Sequence, residues 1–390
     1  MIATSETARG RLAAIDMMRG LIMVLMTLDH VRRNFSSQAE QFFGKGLSAL
    51  PMRPEDLDVT TPGFFLMRWV THLCAPAFIY LAGVSVFLWR RRHGAGRSVT
   101  RYLLVRGCAI LILNVLMNSP GLFAQKPYHV LDVLWAIGMG MIFLALAVRL
   151  PRGFLWCLAL AVLFGHNALD AVTASDTPAG SLLKLFFTAG SIPFSLGSLS
   201  LTVHVPYPVL PWFAIMLLGY LSGGLFGMER ARRLPILLAV GAVCAAGFVA
   251  LRLGGAYGDP GLWQHFDVAW KTAASFVRVT KYPPSLQYSL LMLGIMFVLL
   301  AVIERRDLRS RLLLALGAAP MVYYVAHLLL IRVMGHGLLA MLRGPAVAAG
   351  AYLFSAGGVL LFTALVAASL YPLCLWRVRQ RALRKTVVEA

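Results

Sequence analysis

The chain repeats one pattern ten times: a continuous apolar run of about 17–25 residues, the length a helix needs to cross the hydrocarbon core of a bilayer. The runs fall at 13–33, 63–89, 102–118, 129–148, 153–170, 207–227, 234–253, 285–304, 312–333 and 346–374. They are continuous rather than alternating, which argues against a transmembrane β-barrel. Of 390 residues, 59% are hydrophobic and only 13% charged, more apolar material than a soluble core can hold. The expected fold class is therefore all-α: a polytopic membrane helical bundle of about ten transmembrane helices, forming one membrane-embedded domain over 1–390.

Charge orients the bundle. A net charge of +20 would suit a nucleic-acid binder, but the arginines bracket the apolar runs in short clusters instead of lining one face. No nucleic-acid partner is expected. The clusters Arg90–Arg92 with Arg97 and Arg101, Arg149 with Arg152, and Arg230 with Arg232 and Arg233 follow even-numbered runs. So do Arg305 to Arg311 and the tail from Arg377 to Lys385. Basic loops stay in the cytoplasm, so both termini are expected there. The long segments 34–62, 171–206 and 254–284 hold seven of the sixteen acids, more than the basic loops do, and then lie outside. Within the second, SLLKLFFTAGSIPFSLG reads as an amphipathic piece lying in the membrane surface. The five cysteines form no CxxC pair and sit in or beside apolar runs, where buried free thiols are expected. The first run carries Asp16 and Arg19 with no small-residue cleavage site after it, and reads as an uncleaved span.

The stretch Arg11 to Phe35 gathers the most unusual chemistry. Asp16 and Arg19 stand at its foot, three residues apart and able to pair; Asp29 and His30 stand at its head. Each charge at membrane depth costs about 2.5–3.5 kcal/mol, so such groups are rarely idle. At 1.5 Å of rise per residue, His30 lies about 22 Å from Ile15, in the outward quarter of the span. His72, His166 and His327 fall in a similar layer on three other spans, and His30 faces the segment Arg68–His72. His166 and His327 read equally well as packing residues. His129 opens the fourth run at the rim, with Asp132 one turn below. Asn114 and Asn118 add amides that could line a pocket. On the cytoplasmic side, Arg106 sits one turn inside the third run, where a guanidinium needs a phosphate ligand or a structural pair such as Asp16. The histidine spacing gives no support for a metal site.

Taken in order, RLAAIDMMRGLIMVLMTLDH, LMRWVTHLCAPAFIYLAGVSVFL, YHVLDVLWAIGMG, YPVLPWFAIMLLGYLSG, KYPPSLQYSLLMLG, LGAAPMVYYVAHLLLI and YPLCLW resemble the heparan-α-glucosaminide N-acetyltransferase catalytic-domain-like proteins, especially the bacterial members. The resemblance covers about residues 9–380. It implies acyl transfer across a bacterial inner membrane, with acetyl-CoA or another acyl-CoA held from the cytoplasm. The acceptor would be the amine or hydroxyl of an extracytoplasmic glycan or amino sugar. The lysosomal enzyme is similar in using a histidine in the loop after the first span, yet Val31 to Thr71 contains none here. The role of general base then passes to His30, with His72 as its alternative and Asp29 orienting a neighbour or binding acceptor. Arg19 and Arg106, with Asp16, are the expected CoA-binding residues. Arg68, Asn114, His129, Asp132 and His327 are the expected acceptor-binding residues.

The rival class is a transporter or flippase for a lipid-linked or anionic solute, with the buried histidines and carboxylates as a relay. No internal repeat of the kind common in transporters is visible, which counts weakly against it. Stabilisation by CoA would favour the enzyme, and proton-coupled uptake the transporter. The expected partner is the lipid bilayer, and the sequence admits a homodimer without indicating one.

Overall fold

The computed structural model describes residues 13–35, 57–58, 60–94, 98–118, 128–169, 177–196, 199–341 and 354–389. In chain order the elements are α1 (Ala13–Phe35), α2 (Pro62–Thr71), α3 (Cys74–His93), α4 (Val99–Asn118), β1 (Tyr128–Val130), α5 (Val133–Ala147) and α6 (Arg152–Gly165). Then follow α7 (Pro178–Phe186), β2 (Gly190–Leu196), β3 (Leu199–Val205), α8 (Val209–Ser222) and α9 (Arg230–Gly254). The chain continues as α10 (Ala269–Val277), α11 (Leu286–Arg305), α12 (Arg311–Ala318), α13 (Pro320–Met341) and α14 (Ala356–Glu389). Short 3-10 turns extend α6 over His166–Leu169 and α8 over Gly223–Gly227.

The all-α membrane class holds. Among the described residues seven helices are long and apolar enough to cross a membrane, or eight if the bent pair α12–α13 counts as one span. Ten were expected, and the difference has identifiable causes. The run at 312–333 breaks at Ala319, turning by 96°. Pro320 follows, and the residue before a proline is pushed out of the helical region; Ala319 has φ −128° and ψ 49°. Helix α5 is only 15 residues long. Helix α1 carries Asp16, Arg19, Asp29, Arg32 and Arg33, more charge than an ordinary span.

A second departure is a small sheet. SLLKLFFTAGSIPFSLG is not one amphipathic surface piece: its first part is in α7, and GSIPFSL is strand β2. The strands order β1-β3-β2, with β2 antiparallel and β1 parallel to β3. The alternation LSLTVHV carries the period of two that a strand requires. The expected buried thiols also divide, since Cys74 and Cys374 are buried whereas Cys108 and Cys157 are exposed.

The body is built from close helix pairs: α9 with α11, α4 with α5, α3 with α8, and α1 with α12. Helix α8 is 72% buried over its apolar window and α9 only 17%, so α8 is central and α9 offers an apolar face outward. Two pairs touch backbone to backbone. A Cβ on Gly83 would collide with the Met216 carbonyl, and one on Gly219 with that of Tyr80. Gly20 meets the Leu313 carbonyl and Gly317 that of Asp16 in the same way. Arg381 of α14 donates to the Ala318 carbonyl at 2.9 Å, satisfying one of the acceptors left at the end of α12. The ends of α3, α5, α8 and α11 carry the arginine clusters and form a basic side. The sheet and the connection after α9 mark the opposite, loop side.

Candidate functional site

The polar residues of the loop side converge where α1, α2, α13 and the α10–α11 connection meet. Helix α2 gives way to α3 at His72–Leu73 for a local reason. Pro76 has no N–H, so the carbonyl of His72, four residues earlier, loses its helical partner. That carbonyl accepts from the Tyr288 hydroxyl at 2.8 Å, which seats α11 against the junction. The His72 ring stands edge-on to Tyr288 at 5.8 Å between centroids.

The head of α1 presents Asp29 and His30 in different directions. Asp29 Oδ1 accepts from Arg32 at 3.1 Å, Arg68 at 3.2 Å and Thr71 at 3.1 Å. The carboxylate is buried, and it locks α1 to α2. His30 turns instead to α13, with its Nδ1 2.8 Å from His327 Nε2 and the rings stacked at 5.1 Å. His327 Nδ1 lies 3.0 Å from the carbonyl of Tyr323. A carbonyl only accepts, so His327 carries its proton on Nδ1 and its Nε2 is a lone pair. His30 must then donate from Nδ1, which leaves its own Nε2 as a free lone pair. Beneath them the Tyr323 hydroxyl meets Thr27 Oγ1 at 2.6 Å, and Thr27 donates to the Met23 carbonyl at 3.1 Å.

The α10–α11 connection is shaped from inside α9. Arg252, 2% exposed, donates to the carbonyls of Phe276 at 2.8 Å, Gly261 at 2.6 Å, Ser275 at 2.7 Å and Arg278 at 2.8 Å. Asp259 accepts from the Thr280 amide at 2.7 Å and the Ser285 hydroxyl at 2.6 Å. Ser285 caps α11 by accepting from the Tyr288 amide at 3.0 Å. This frame delivers Lys281 and Tyr282, both buried, to the cluster. Burial alone would push the Tyr282 phenol up, but the charges of Lys281, Arg68 and Arg33 outweigh it and bring it down to about 8. Tyr282 stands 3.5 Å from the Tyr207 hydroxyl, and Trp212 packs on Tyr207 and Tyr288 to complete an aromatic wall.

Asp29, His30, Arg68, His72 and His327, picked out from sequence, therefore come together. Asn114, His129 and Asp132 form a neighbouring knot. Asn114 donates to the Val130 carbonyl at 3.3 Å and lies 3.4 Å from His129, while Asp132 accepts from Asn118 at 2.8 Å and from the Leu134 amide at 2.8 Å. Asp132 thus caps α5, within reach of the Tyr324 hydroxyl beside His327. His166 lies apart, with Nδ1 3.0 Å from the Val162 carbonyl and Nε2 2.8 Å from that of Pro284.

The residues expected to hold CoA are not gathered. Arg19 pairs with Asp16 at 3.3 Å, donates to the Leu81 carbonyl at 3.2 Å and bonds Ser85, so it ties α1 to α3. Arg106 is exposed on α4 and donates to the Tyr102 hydroxyl at 2.7 Å, so the alternative pair of Arg106 with Asp16 does not form. Sequence reasoning missed Lys281, Tyr282, Tyr288, Tyr323 and Arg252. Only the motif KYPPS hinted at the first two, and it reads equally as an interfacial aromatic loop.

The family model described as "Heparan-alpha-glucosaminide N-acetyltransferase, catalytic" matches residues 52–251, just over half of the chain. The matched stretch contains Arg68, His72, Asn114, His129 and Asp132, while His30, Lys281 and His327 lie outside it. No curated protein matches.

Proposed function

The chain belongs to the heparan-alpha-glucosaminide N-acetyltransferase catalytic family of membrane acetyltransferases, and on that premise we propose that it transfers an acyl group from cytoplasmic acyl-CoA to an extracytoplasmic sugar amine or hydroxyl. The basic side faces the cytoplasm of a bacterial inner membrane in this reading, and the loop side faces out. The donor is acetyl-CoA or a close homologue.

The observation that most supports the reading is the chain from the Tyr323 carbonyl through His327 to His30, which fixes a lone pair on His30 Nε2. A histidine locked in that tautomer is a general base awaiting a proton donor. The acceptor nitrogen or oxygen attacks the thioester carbonyl and gives its proton to His30 Nε2. A C–N or C–O bond forms, the C–S bond breaks, and the proton returns to the leaving CoA sulfur. His30 is assigned rather than His72 because nothing among the described residues fixes the tautomer of His72. Asp29 holds Arg68 in place, and Tyr207 and Tyr282, edge-on to each other, border the cluster with the kind of aromatic surface that suits a sugar ring. Asn114, His129 and Asp132 would border the acceptor on the α4–α5 side. For the donor, the exposed Arg106 and the Arg90–Arg92 cluster would meet phosphates at the basic side. Arg19 and Asp16 act there through helix packing.

The test is transfer of radiolabelled acetyl from acetyl-CoA to a panel of amino sugars by protein in sealed proteoliposomes. Labelled sugar is expected with the wild type and not with His30→Asn. Undiminished transfer by His30→Asn, or no transfer to any acceptor, overturns the reading.

A further inference from the structure

Basic residues mark the cytoplasmic side of a membrane protein, yet this chain buries a lysine on its loop side. Lys281 is 7% exposed, and its ammonium makes no hydrogen bond or ion pair among the described residues. It lies over the Tyr282 ring, 5.2 Å from ammonium to centroid. A cation–π contact with an adjacent residue does not replace water around an ammonium. Asp29 carries the opposing charge nearby but makes no contact with it: its Oδ1 takes Arg32, Arg68 and Thr71, and no ion pair joins Asp29 to Lys281 among the described residues.

A second group of the same cluster is also unanswered. His72 is 8% exposed, and its Nδ1 is buried without a hydrogen-bond partner. The Tyr288 hydroxyl bonds the His72 backbone and leaves the ring alone. Arg68 stands four residues before His72 on the same face, and the charges of Lys281 and Arg68 both act on His72. Buried charges are paired or coordinated, and buried polar atoms are bonded, as a rule. An ammonium with no anion on it and an imidazole nitrogen with no partner, within electrostatic reach of each other, can be answered by one ligand.

We propose that Lys281 and His72 Nδ1, flanked by Arg68, form a binding subsite for an oxyanion: a carboxylate, sulfate or phosphate. Lys281 supplies the charge and His72 an N–H, while Arg68, paired with Asp29, adds positive potential. That the oxyanion is a substituent of the acyl acceptor rests on the reaction proposed above; the subsite itself does not. On that basis the preferred acceptor is an acidic sugar, its charged group at Lys281 and its nucleophile toward His30.

The test uses the full-length protein, with thermal stability and calorimetry at fixed ionic strength. The probes are inorganic sulfate, glucuronate and uncharged glucose, together with nanodiscs of phosphatidylcholine with or without phosphatidylglycerol. Sulfate or glucuronate, and not glucose, is expected to bind saturably. Lys281→Met should weaken that binding by more than about tenfold, while Lys281→Arg keeps it. Should Lys281→Met not fold, His72→Phe takes its place with the same expectation. Sulfate and glucuronate acting no differently from chloride, or binding unchanged in Lys281→Met, overturns the subsite. Stabilisation by phosphatidylglycerol alone, lost in Lys281→Met, keeps the oxyanion subsite but assigns it to a lipid headgroup and overturns its role for the acceptor. Anion binding without acyl transfer would remove the reaction and leave the subsite standing, whereas transfer without anion binding would do the reverse.

Discussion

The two ends of α1 carry nearly the same chemistry and do different things with it. Near its start, Asp16 and Arg19 are closed by each other, by the Leu81 carbonyl and by Ser85. Near its end, Asp29 Oδ1 takes three donors, but His30 beside it keeps Nε2 open, and His72 Nδ1 in the same cluster has no partner. A charged residue in a membrane helix is thus not a functional site by virtue of its charge. What separates the two ends is whether the protein completes the set of partners or leaves one place for something else.

The sharpest way to break the contrast is at the open end. His30→Asn is expected to lower acyl transfer by about 10²–10⁴-fold, the usual worth of a general base, with thermal stability nearly unchanged. An equal loss from Asp16→Asn would erase the distinction. Next comes the frame of the open end. Arg252→Met leaves four backbone carbonyls without their donor and should destabilise the loop side by about 3–5 kcal/mol. Hydrogen exchange would show it as lost protection across 258–287, with α3 and α8 unaffected. His327→Leu removes the acceptor that fixes the His30 tautomer. It should lower kcat by about 10²-fold with little change in KM, and His327→Gln should recover part of it. At the closed end the effect is on packing. Gly219→Ala forces a methyl group against the Tyr80 carbonyl and should cost about 1–3 kcal/mol, read as a lower Tm. The smallest effect belongs to Arg106→Ala, which is exposed and should change stability by less than about 0.5 kcal/mol. A raised KM for acyl-CoA in this variant would place a donor phosphate at α4, and an unchanged KM would remove Arg106 from the donor site.

Much of this was readable before the fold. Apolar run length located the helices, and the depth of each titratable group along its run brought His30, His72 and His327 to one layer. The break between α12 and α13 was written in Ala319-Pro320 but hidden inside an unbroken apolar run. The strands were harder, because over seven residues a half-buried strand and a short surface helix both show mixed polarity. Lys281 and Arg252 could not be placed from sequence at all. Their meaning lies in contacts between segments remote in the chain, such as Arg252 with Gly261, Ser275 and Arg278, and no local periodicity encodes those. The foot of α1 was half legible: the Asp16–Arg19 pair follows from spacing, but that α3 would claim the rest of Arg19 does not.

Arg252 also bears on how such a chain can change its preferences. The contour of the connection it anchors is held by main-chain oxygens together with a few fixed side chains, Asp259, Thr272 and Ser275. Leu262, Gln264, His265, Asp267 and Val268 are exposed on this ribbon and can be exchanged without unpicking it. Related proteins could therefore diverge in what they recognise at this rim while the lysine and tyrosine behind it stay in register.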